Sequence, residues 1–303
     1  MNSKIILIIP YFGNTPVWLP YFLHSCKANN DIHWLIYSNL DIDPVWGENK
    51  NLQIEKKTLS DFNKLASQKL NIKVSISNPY KICDFKPAFG LIFSDYTQGY
   101  KYWGYCDIDI IFGKISDFLP LNTEYDIITT GKKFLSGHLT LYKNNQNLNN
   151  LFRKIWRINS MLLDYNRIYY LDEASNYIGR KLSNQTQKRY DRKTNIIERI
   201  INSLKFRILK KISFSYDIWK VVEKEKKVSD ITIYRLKNMA SDENFLKNGI
   251  KTWNLQWEKG TLKNLESGEE LLYFHFIKSK ENLQIQKTKI SSSFYLTEQY
   301  INP

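Results

Sequence analysis

Short apolar runs alternate with helical patterns along the first half of the chain, and this alternation constrains the fold most. The first run, Lys4–Pro10, is rich in isoleucine and ends in a Pro-Tyr-Phe-Gly loop, which is typical of an interior parallel strand. Strands that alternate with helices predict an α/β sheet. Further strands are predicted at His33–Ser38, Leu52–Lys56, Tyr102–Ile111, Tyr125–Thr130, Leu139–Tyr142, Ile231–Leu236 and Leu271–Ile277, and helices at Val17–Ala28, Leu59–Leu70 and Lys81–Tyr96.

Two aspartates, Asp107 and Asp109, lie near the end of the predicted strand Tyr102–Ile111. Alternate residues of a strand share a face, so we expect both carboxylates to project together at the sheet edge where ligands bind. Like charges on one face repel unless water or a divalent cation separates them. A Mg²⁺ or Mn²⁺ ion that bridges to substrate phosphates is therefore predicted. The alternative is a pair of surface carboxylates beside a loop.

Composition excludes several classes of protein. The 303 residues are 43% hydrophobic and 15% aromatic, which is too much for a disordered polymer. This length suits one large domain, or one domain with an elaborated end. The formal net charge is +14, of which residues 1–150 carry +2 and residues 151–303 carry +12. A basic surface attracts phosphate in nucleic acid, in an anionic membrane or in a substrate.

The basic excess is concentrated in residues 180–227, which contain 15 basic and 5 acidic residues. Within them, Asn195–Ile212 has apolar residues at helical spacing with lysines and arginines between them, which predicts a basic amphipathic helix. Such a helix either packs on the core with its lysines in solvent, or docks on the anionic leaflet of a membrane. Both alternatives stay open at the level of the sequence.

The cysteines and the apolar runs bear on where the protein resides. Cys26, Cys83 and Cys106 form no Cys-x-x-Cys pair, and an odd number does not suggest a disulfide framework. The N-terminal apolar run is shorter than the core of a signal peptide, and no run reaches the ~18–20 apolar residues of a membrane span. We therefore expect a cytoplasmic protein, either free or peripheral on the cytoplasmic face of the inner membrane.

The Asp-x-Asp segment resembles the strand of GT-A glycosyltransferases that binds the metal and diphosphate of a nucleotide-sugar. The order of the later motifs resembles that of the retaining families 8 and 32. Three further motifs, Pro-Tyr-Phe-Gly, Lys-x-Cys-Asp-Phe-Lys-Pro and Trp-Gly-Tyr-x-Asp-x-Asp, are similar to those of a bacterial family associated with surface polysaccharide synthesis. Together the resemblances cover about residues 4–177 and 250–280.

The later motifs carry the resemblance to families 8 and 32. Lys81–Leu91 is similar to a donor-facing Asp-x-x-Arg helix, and Leu135–Tyr142 is similar to the Asn-x-Gly strand of the sugar pocket. Leu171–Asn176 resembles the Asp-Gln segment near the transferred sugar, and Trp253 resembles the first residue of a Trp-Asn pair. Tyr273–Lys280 resembles a terminal His-Phe-x-Gly-x-x-Lys segment, whose His completes the metal site and whose Lys reaches the diphosphate.

The resemblance implies a GT-A, Rossmann-like α/β fold, with a mixed, mostly parallel sheet flanked by helices and a basic helical elaboration. Residues 1–180 would form the catalytic core, 181–235 a basic segment that faces the acceptor or a membrane, and 236–303 a part that returns to the core. The implied metal ligands are Asp107, Asp109 and His275, and the implied catalytic residues are Asp172, Glu173 and His138. Donor contacts are implied for Pro10, Tyr11, Phe12, Gly13, Asp84, Lys86, Asp107, Gly137, Lys278 and Lys280.

The implied activity is transfer of a sugar from a nucleotide-sugar to a glycan or lipid-linked glycan in bacterial surface polysaccharide synthesis. Related enzymes mostly use UDP, and families 8 and 32 retain the anomeric configuration. The implied cofactor is Mn²⁺ or Mg²⁺. A divalent ion and lysines would stabilise the diphosphate as its charge grows, and the acceptor hydroxyl must be aligned with the anomeric carbon.

Two residues depart from the family pattern. Glu173 stands where family 8 has Gln, and a carboxylate there suits a nucleophile or stabilisation of charge at the anomeric carbon. Lys278 replaces a Gly, so either Lys278 or Lys280 is expected to approach phosphate. Several of the implied site residues also have a purely structural interpretation. In it, His138 and His275 are packed core residues, and Asp172 and Glu173 start a helix. Lys86 is then solvated, and Tyr11 and Phe12 are core aromatics.

Two other functions compete with glycosyl transfer. A nucleotidyltransferase also uses an α/β sheet and paired carboxylates, but the loop after the first strand is not the Gly-rich phosphate loop that such an enzyme needs. A nucleic-acid-binding protein would suit the net charge, but no RNA- or DNA-binding motif is present and the acidic strand opposes it. We therefore predict no nucleic-acid partner, and the sequence indicates no oligomeric state.

Overall fold

The computed structural model describes residues 4–120, 124–131, 135–155, 157–174, 231–281, 283–285, 292–298 and 300–302. Over these ranges the backbone forms a seven-stranded, a six-stranded and a three-stranded sheet. The basic segment 180–227, its helical pattern at 195–212 and the predicted boundary after residue 180 lie outside the described residues. The predicted division into three parts therefore stays a prediction.

The elements are numbered in chain order over the described residues. The strands are β1 (Ile5–Tyr11), β2 (Ile32–Ser38), β3 (Leu52–Lys56), β4 (Tyr102–Cys106), β5 (Ile110–Phe112), β6 (Ile127–Thr129), β7 (Leu139–Lys143), β8 (Ile233–Arg235), β9 (Met239–Ser241), β10 (Leu255–Glu258), β11 (Thr261–Asn264), β12 (Glu270–Leu271), β13 (Tyr273–His275), β14 (Gln284–Ile285), β15 (Ser293–Leu296) and β16 (Tyr300–Asn302). The α-helices are α1 (Leu19–Ala28), α2 (Leu59–Leu70), α3 (Phe89–Ile92), α4 (Gln146–Asn149), α5 (Ile158–Leu163), α6 (Leu171–Ala174) and α7 (Asp242–Lys247). Short 3₁₀ helices cover Pro44–Glu48, Pro79–Ala88, Ile115–Phe118, Leu151–Lys154 and Ser279–Glu281.

The central sheet has the strand order β3-β2-β1-β4-β7-β6-β8 in the described part of the chain. β1 pairs in parallel with β2 and β4, β2 pairs in parallel with β3, and β6 pairs in parallel with β8. β7 runs antiparallel to its neighbours β4 and β6. This mixed, mostly parallel sheet flanked by helices confirms the predicted fold class and is consistent with a GT-A-like arrangement.

Alternation along β1 produces a core on each face of the central sheet. Ile6 and Ile8 belong to the core that includes residues of α2 and α3. Ile5, Leu7 and Ile9 belong to the opposite core, which includes residues of α1. Because both faces are covered, the strand is apolar at successive positions. The continuous isoleucine run therefore reflects a strand with two buried faces.

Helix α2 forms where the sequence predicts it. Thr58 caps its first turn and shares a reciprocal capping box with Asp61, which satisfies two backbone N–H groups. Asn71 ends the helix in the left-handed conformation, with φ at 56°. The neighbouring helix α1 begins two residues later than predicted, at Leu19, and Pro20 occupies its first turn.

The C-terminal part of the chain builds the two smaller sheets. β13 pairs antiparallel with β5 and in parallel with β9, so it brings residues 273–275 beside residues 110–112. The six-stranded sheet packs on a third core that includes Trp253, Trp257, Phe274 and Phe294. The Trp257 indole donates a hydrogen bond of 2.9 Å to the carbonyl of Phe112. This core therefore holds the C-terminal strands against the end of β5.

The helix predicted over Lys81–Tyr96 is wrong in type. The chain forms the 3₁₀ helix Pro79–Ala88 and then the four-residue helix α3. Pro87 lacks a backbone N–H and clashes with the preceding turn of an α-helix, so a continuous α-helix is disfavoured there. The Asn78 side chain accepts a hydrogen bond from the Tyr80 backbone at the start of the 3₁₀ segment.

The continuous strand predicted over Tyr102–Ile111 is also wrong. β4 ends at Cys106 in the central sheet, and β5 begins at Ile110 in the three-stranded sheet. Asp107 and Asp109 lie between the two strands, so the rule that alternate residues share a face does not apply to them. The strand predicted over Leu271–Ile277 likewise divides into β12 and β13, which belong to different sheets.

No helix among the described residues is long and apolar enough to cross a membrane.

Candidate active site

A cleft of about 900 Å³ opens at the carboxyl ends of β1 and β4. These two strands are adjacent, and the sheet continues from β1 to β2 on one side and from β4 to β7 on the other. Ligand sites of open α/β sheets lie at such a switch point. The predicted site residues that line the cleft are Pro10, Tyr11, Phe12, Lys86, Asp107, Asp109, Gly137, His138, Asp172, Glu173, His275 and Lys280.

Lys86 joins three segments of the cleft. Its Nζ donates hydrogen bonds to Asp107 Oδ1 at 2.6 Å, to Asp172 Oδ2 at 2.9 Å and to the Gly137 carbonyl at 3.0 Å. The lysine is only 7% exposed. Burial lowers its pKa, but the charges of Asp107 and Asp172 outweigh burial and hold the pKa well above its usual value. Lys86 is therefore a charged side chain that links the loop after β4 to α6.

Asp172 sits at the start of α6, with 6% of its surface exposed. Burial raises the pKa of its carboxyl group, and the charge of Lys86 opposes that rise. A Cβ atom at Gly137 would lie 2.6 Å from Asp172 Oδ2, so a side chain cannot fit at position 137 without a shift. The glycine therefore lets the segment before β7 approach the Asp172 carboxylate closely.

Asp109 lies on the other side of the β4–β5 connection from Lys86. Its Oδ1 is 3.1 Å from His275 Nε2, and its Oδ2 accepts a 2.8 Å hydrogen bond from Lys280 Nζ. Burial raises the pKa of Asp109, but the contacts with His275 and Lys280 outweigh burial and hold it below its usual value. The two predicted metal-binding aspartates thus have different partners.

Asp107, His138 and His275 form the candidate metal cluster. One potential ligand atom from each residue lies within 4.8 Å of the other two. The imidazole rings of His138 and His275 meet edge to face, with centroids 4.1 Å apart. Nδ1 of His275 is buried and has no hydrogen-bond partner among the described residues. A carboxylate oxygen and two imidazole nitrogens at this spacing fit a bound divalent cation.

The pKa values of the two histidines are shifted in opposite directions. Burial and the nearby His275 lower the pKa of His138 to about 4, so its imidazole is neutral at pH 7 and offers a lone pair. Burial also lowers the pKa of His275, but Asp109 raises it more, so it lies above its usual value. Because a metal ligand must be deprotonated, cation binding at His275 would compete with protonation.

The loop after β1 supplies aromatic side chains to the cleft. The Tyr11 hydroxyl donates to the Asn14 carbonyl at 3.1 Å, and burial followed by the charge of Asp109 raises the pKa of Tyr11. Phe12 is 7% exposed and packs edge-on against Tyr37. Gly13 donates its N–H to a side chain in the next loop, outside the cleft lining. Tyr11 therefore faces the Asp109 side of the site.

Asp84 and Lys278 lie apart from the cleft lining. Asp84 is 1% exposed and pairs with Lys81 Nζ at 2.8 Å. It also accepts hydrogen bonds from the backbone N–H groups of Tyr169 and Leu171. Its carboxylate therefore anchors the segment before α6, whereas the family resemblance implies a donor contact for Asp84. Lys278 is 59% exposed and its Nζ lies 3.7 Å from Glu243.

Several residues of the site were missed by sequence reasoning. Asp242 is fully buried and accepts hydrogen bonds from the backbone N–H groups of Ile277, Lys278 and Ser279. It therefore shapes the turn that leads to Lys280. The sequence Ser241-Asp242-Glu243 is a helix-start signal that could have indicated such a carboxylate. The cleft is also lined by Trp18, Asn78, Tyr80, Cys83, Tyr170, Glu243 and Ile277.

A family profile matches residues 7–303, almost the whole chain. The chain belongs to DUF6625, a family of unknown function. No curated protein sequence matches this DUF6625 member. That family description assigns no activity.

Two solved structures are similar to the DUF6625 chain at 13% identity. The PaToxG glycosyltransferase has a TM-score of 0.35, with 75% of this chain and 81% of that chain covered. The apo-form glycosyltransferase GlyE from Streptococcus pneumoniae TIGR4 has a TM-score of 0.24, with 78% of this chain and 55% of that chain covered. Structural similarity at this level assigns no function to the chain, so the function is inferred from the site.

Proposed function

We propose that this protein is a metal-dependent glycosyltransferase that moves a sugar from a nucleotide-sugar to a glycan acceptor. The observation that carries the proposal is the meeting of the Asp107–His138–His275 cluster with Lys280 and an acidic pair in one cleft. A cation and a lysine suit a diphosphate leaving group, and carboxylates suit a sugar. A volume of about 900 Å³ is within the range of ligand clefts.

The cluster is proposed to hold the cation. One carboxylate oxygen and two imidazole nitrogens suit Mn²⁺ better than Mg²⁺, which prefers oxygen ligands. Asp109 is proposed to act through His275, because its oxygens contact His275 Nε2 and Lys280 Nζ. When bound, the ion would stabilise the negative charge that grows on the diphosphate of the leaving nucleotide.

Lys280 is proposed to contact that diphosphate. Its Nζ lies 2.8 Å from Asp109 Oδ2, and 39% of its side chain is exposed. It therefore lies beside the metal cluster and still reaches the cleft. Lys278 is outside the cleft lining, so Lys280 is the favoured one of the two lysines.

The opposite side of the cleft is proposed to bind the transferred sugar. The Asp172 carboxylate accepts a hydrogen bond from Lys86, which stabilises its charge and makes it a weak nucleophile. Glu173 is exposed and lines the same cleft. We therefore propose that Glu173 faces the anomeric carbon, where its carboxylate stabilises developing positive charge or attacks, while Asp172 and Lys86 fix the shape of the pocket.

The nucleotide is proposed to bind towards the loop after β1. Tyr11 and Trp18 line this part of the cleft, and the Trp18 indole is held by a 3.0 Å hydrogen bond to the Ile108 carbonyl. Aromatic faces suit a base and a ribose. The motif resemblance adds UDP as the proposed nucleotide and a glycan or lipid-linked glycan of a bacterial surface polysaccharide as the proposed acceptor.

The test is hydrolysis of a nucleotide-sugar panel by the full chain, with UDP-, GDP-, CDP- and dTDP-linked sugars and with Mn²⁺, Mg²⁺ or EDTA. We expect release of one nucleoside diphosphate with Mn²⁺, less release with Mg²⁺, and none with EDTA. Asp107→Asn and His275→Ala should each reduce the Mn²⁺-dependent rate by at least tenfold. Failure of every donor with both metals would contradict the proposal.

Matched controls separate the site from the fold. His33→Ala removes a half-buried histidine that bonds Gln53 on the edge of the central sheet. Asp95→Asn removes an aspartate whose ion-pair partner is Lys69 on the surface. Both variants should hydrolyse the donor like the wild type. If instead the wild type released pyrophosphate from a nucleoside triphosphate and a sugar phosphate, the protein would be a nucleotidyltransferase.

A further inference from the structure

Two large aromatic side chains are exposed inside the cleft. Tyr80 is 56% exposed and Tyr170 is 46% exposed, and both line the same space as Asp172 and Glu173. Their ring centroids are 6.4 Å apart and their planes meet at 76°. Exposed aromatic surface that is concentrated in a concave site marks a binding surface.

The exposed pair rests on a buried, charged base. Lys81 follows Tyr80 and pairs with Asp84, and both side chains are fully buried. Asp84 accepts hydrogen bonds from the backbone N–H groups of Tyr169 and Leu171, the two neighbours of Tyr170. Lys81 Nζ also donates to two backbone carbonyls in residues 161–167. One ion pair therefore fixes the backbone beneath both rings.

The backbone at Tyr170 supports the same conclusion. Its φ is +51°, in the left-handed region that bulky residues rarely adopt. Such a conformation persists where the surroundings determine it, and it is concentrated at functional sites. At Tyr80, the backbone N–H donates to the Asn78 side chain at 3.1 Å. The rings therefore extend into the cleft from a rigid backbone.

The position of the two tyrosines in the cleft indicates which part of the substrates they would contact. Lys86 bridges Asp107, in the metal cluster, and Asp172, in the sugar pocket. Tyr170 is two residues before Asp172, so the tyrosines lie at the Asp172 end of this bridge. The proposed diphosphate contact, Lys280, lies at the opposite end, beside Asp109. A ligand on the tyrosines would therefore lie beyond the transferred sugar.

We propose that Tyr80 and Tyr170 form a stacking platform for a pyranose ring of the acceptor. This inference rests on the proposed glycosyltransferase function. A pyranose presents C–H groups on a face, which pack on an aromatic ring, and hydroxyls around its edge. The platform offers two rings at 76° with polar side chains of Asn78 and Glu173 in the same cleft. The acceptor hydroxyl would thereby be held next to the anomeric carbon of the donor.

The test is saturation-transfer NMR of the full chain with four methyl glycosides: glucoside, galactoside, mannoside and N-acetylglucosaminide. Sorbitol, an acyclic polyol without a pyranose face, is the negative control. We expect at least one glycoside to bind and sorbitol not to bind. Tyr80→Ala and Tyr170→Ala should each weaken that binding about tenfold. Tyr80→Phe and Tyr170→Phe keep the ring and should stay within about twofold of the wild type.

Tyr295→Ala is the matched control, because Tyr295 is an exposed tyrosine of the six-stranded sheet. This variant should bind the glycoside like the wild type. The proposal is overturned if no glycoside binds, or if both alanine variants bind like the wild type. It is also overturned if a nucleotide-sugar abolishes the signal, since the glycoside would then occupy the donor pocket. Failure of the glycosyltransferase proposal shows separately, as absence of donor hydrolysis by the wild type.

Discussion

The Oδ1 atom of Asp109 lies 3.1 Å from Nε2 of His275, although the two residues are 166 positions apart in the chain. A carboxylate on one ring nitrogen fixes the tautomer and the ring orientation, so that the other nitrogen is available as a ligand. In His275 that other nitrogen is the buried Nδ1. The Asp-x-Asp segment thus supplies one proposed ligand, Asp107, and one proposed support for a ligand, Asp109.

Asp109→Asn should weaken Mn²⁺ binding by about 10–100-fold without abolishing it, because an amide holds the imidazole less firmly. Calorimetric titration of the metal-free protein with Mn²⁺ measures the change. Asp117→Asn, at an aspartate in the 3₁₀ turn Ile115–Phe118, is the control and should bind like the wild type. Unchanged affinity in Asp109→Asn would remove Asp109 from the site, and complete loss would make it a direct ligand.

Gly137→Ala should destabilise the protein by about 1–3 kcal/mol, since the added methyl group overlaps the Asp172 carboxylate. Lys86 bonds both the Gly137 carbonyl and Asp172, so a shift of either one disturbs its contacts, and donor hydrolysis should fall as well. Urea unfolding and the hydrolysis assay measure the two effects. Gly47→Ala is the matched control, because a Cβ at Gly47 meets no atom within 4 Å. Equal stability of the two variants would contradict the packing argument.

Breaking the Lys81–Asp84 pair should cost about 3–5 kcal/mol, because the remaining partner is left charged in a fully buried site. We expect Lys81→Met and Asp84→Asn each to show this loss in urea unfolding. The double variant should lose less than the sum of the two, since neither charge is then stranded.

The surface pair Lys69–Asp95 provides the comparison for that cycle, with its aspartate side chain 66% exposed. Its removal by Lys69→Met should change stability by about 0–1 kcal/mol. If the buried and the surface pair gave similar losses, the ion pair beneath Tyr80 and Tyr170 would not be the rigid base that we infer.

Cys83 should react slowly with iodoacetamide at neutral pH although it lines the cleft. Burial raises the pKa of its thiol to about 12, against the opposing charge of Lys86. An ordinary thiol has a pKa of about 8.5, so at pH 7.5 Cys83 would hold roughly three-thousandfold less thiolate. Because the pKa is raised, reactivity should keep increasing up to about pH 12.

Mass spectrometry of the alkylated protein at pH 7.5, 9 and 10.5 measures this profile. Glutathione in the same tube serves as the ordinary thiol, and Cys83→Ser identifies any modification of the buried Cys26 and Cys106. Labelling of Cys83 at the glutathione rate at pH 7.5 would contradict the raised pKa.

The fold class and many cleft residues could be predicted because local patterns carry them. The apolar run of β1 and the capping box of α2 are properties of a few adjacent residues. The break between β4 and β5 could not be predicted in this way. Ile110–Phe112 continues the apolar pattern of β4, and its pairing with β13, about 160 residues later, decides which sheet it joins.

The role of Asp84 was hidden for a similar reason. Its partners are Lys81 and the backbone of residues 169 and 171, so its position becomes understandable only after two distant segments pack together. Motif order indicated which residues gather in the cleft, and tertiary contacts decided which way each of them faces. Asp107 and Asp109 illustrate this, since they are two positions apart and contact different lysines.

The pairing of β13 with β5 also has a consequence for biosynthesis. Asp107 and His138 are made well before His275 and Lys280, which follow more than 130 residues later in the chain. A nascent chain can assemble much of the central sheet long before it has a complete cluster. A partly made molecule therefore lacks part of the residue set that lines the cleft.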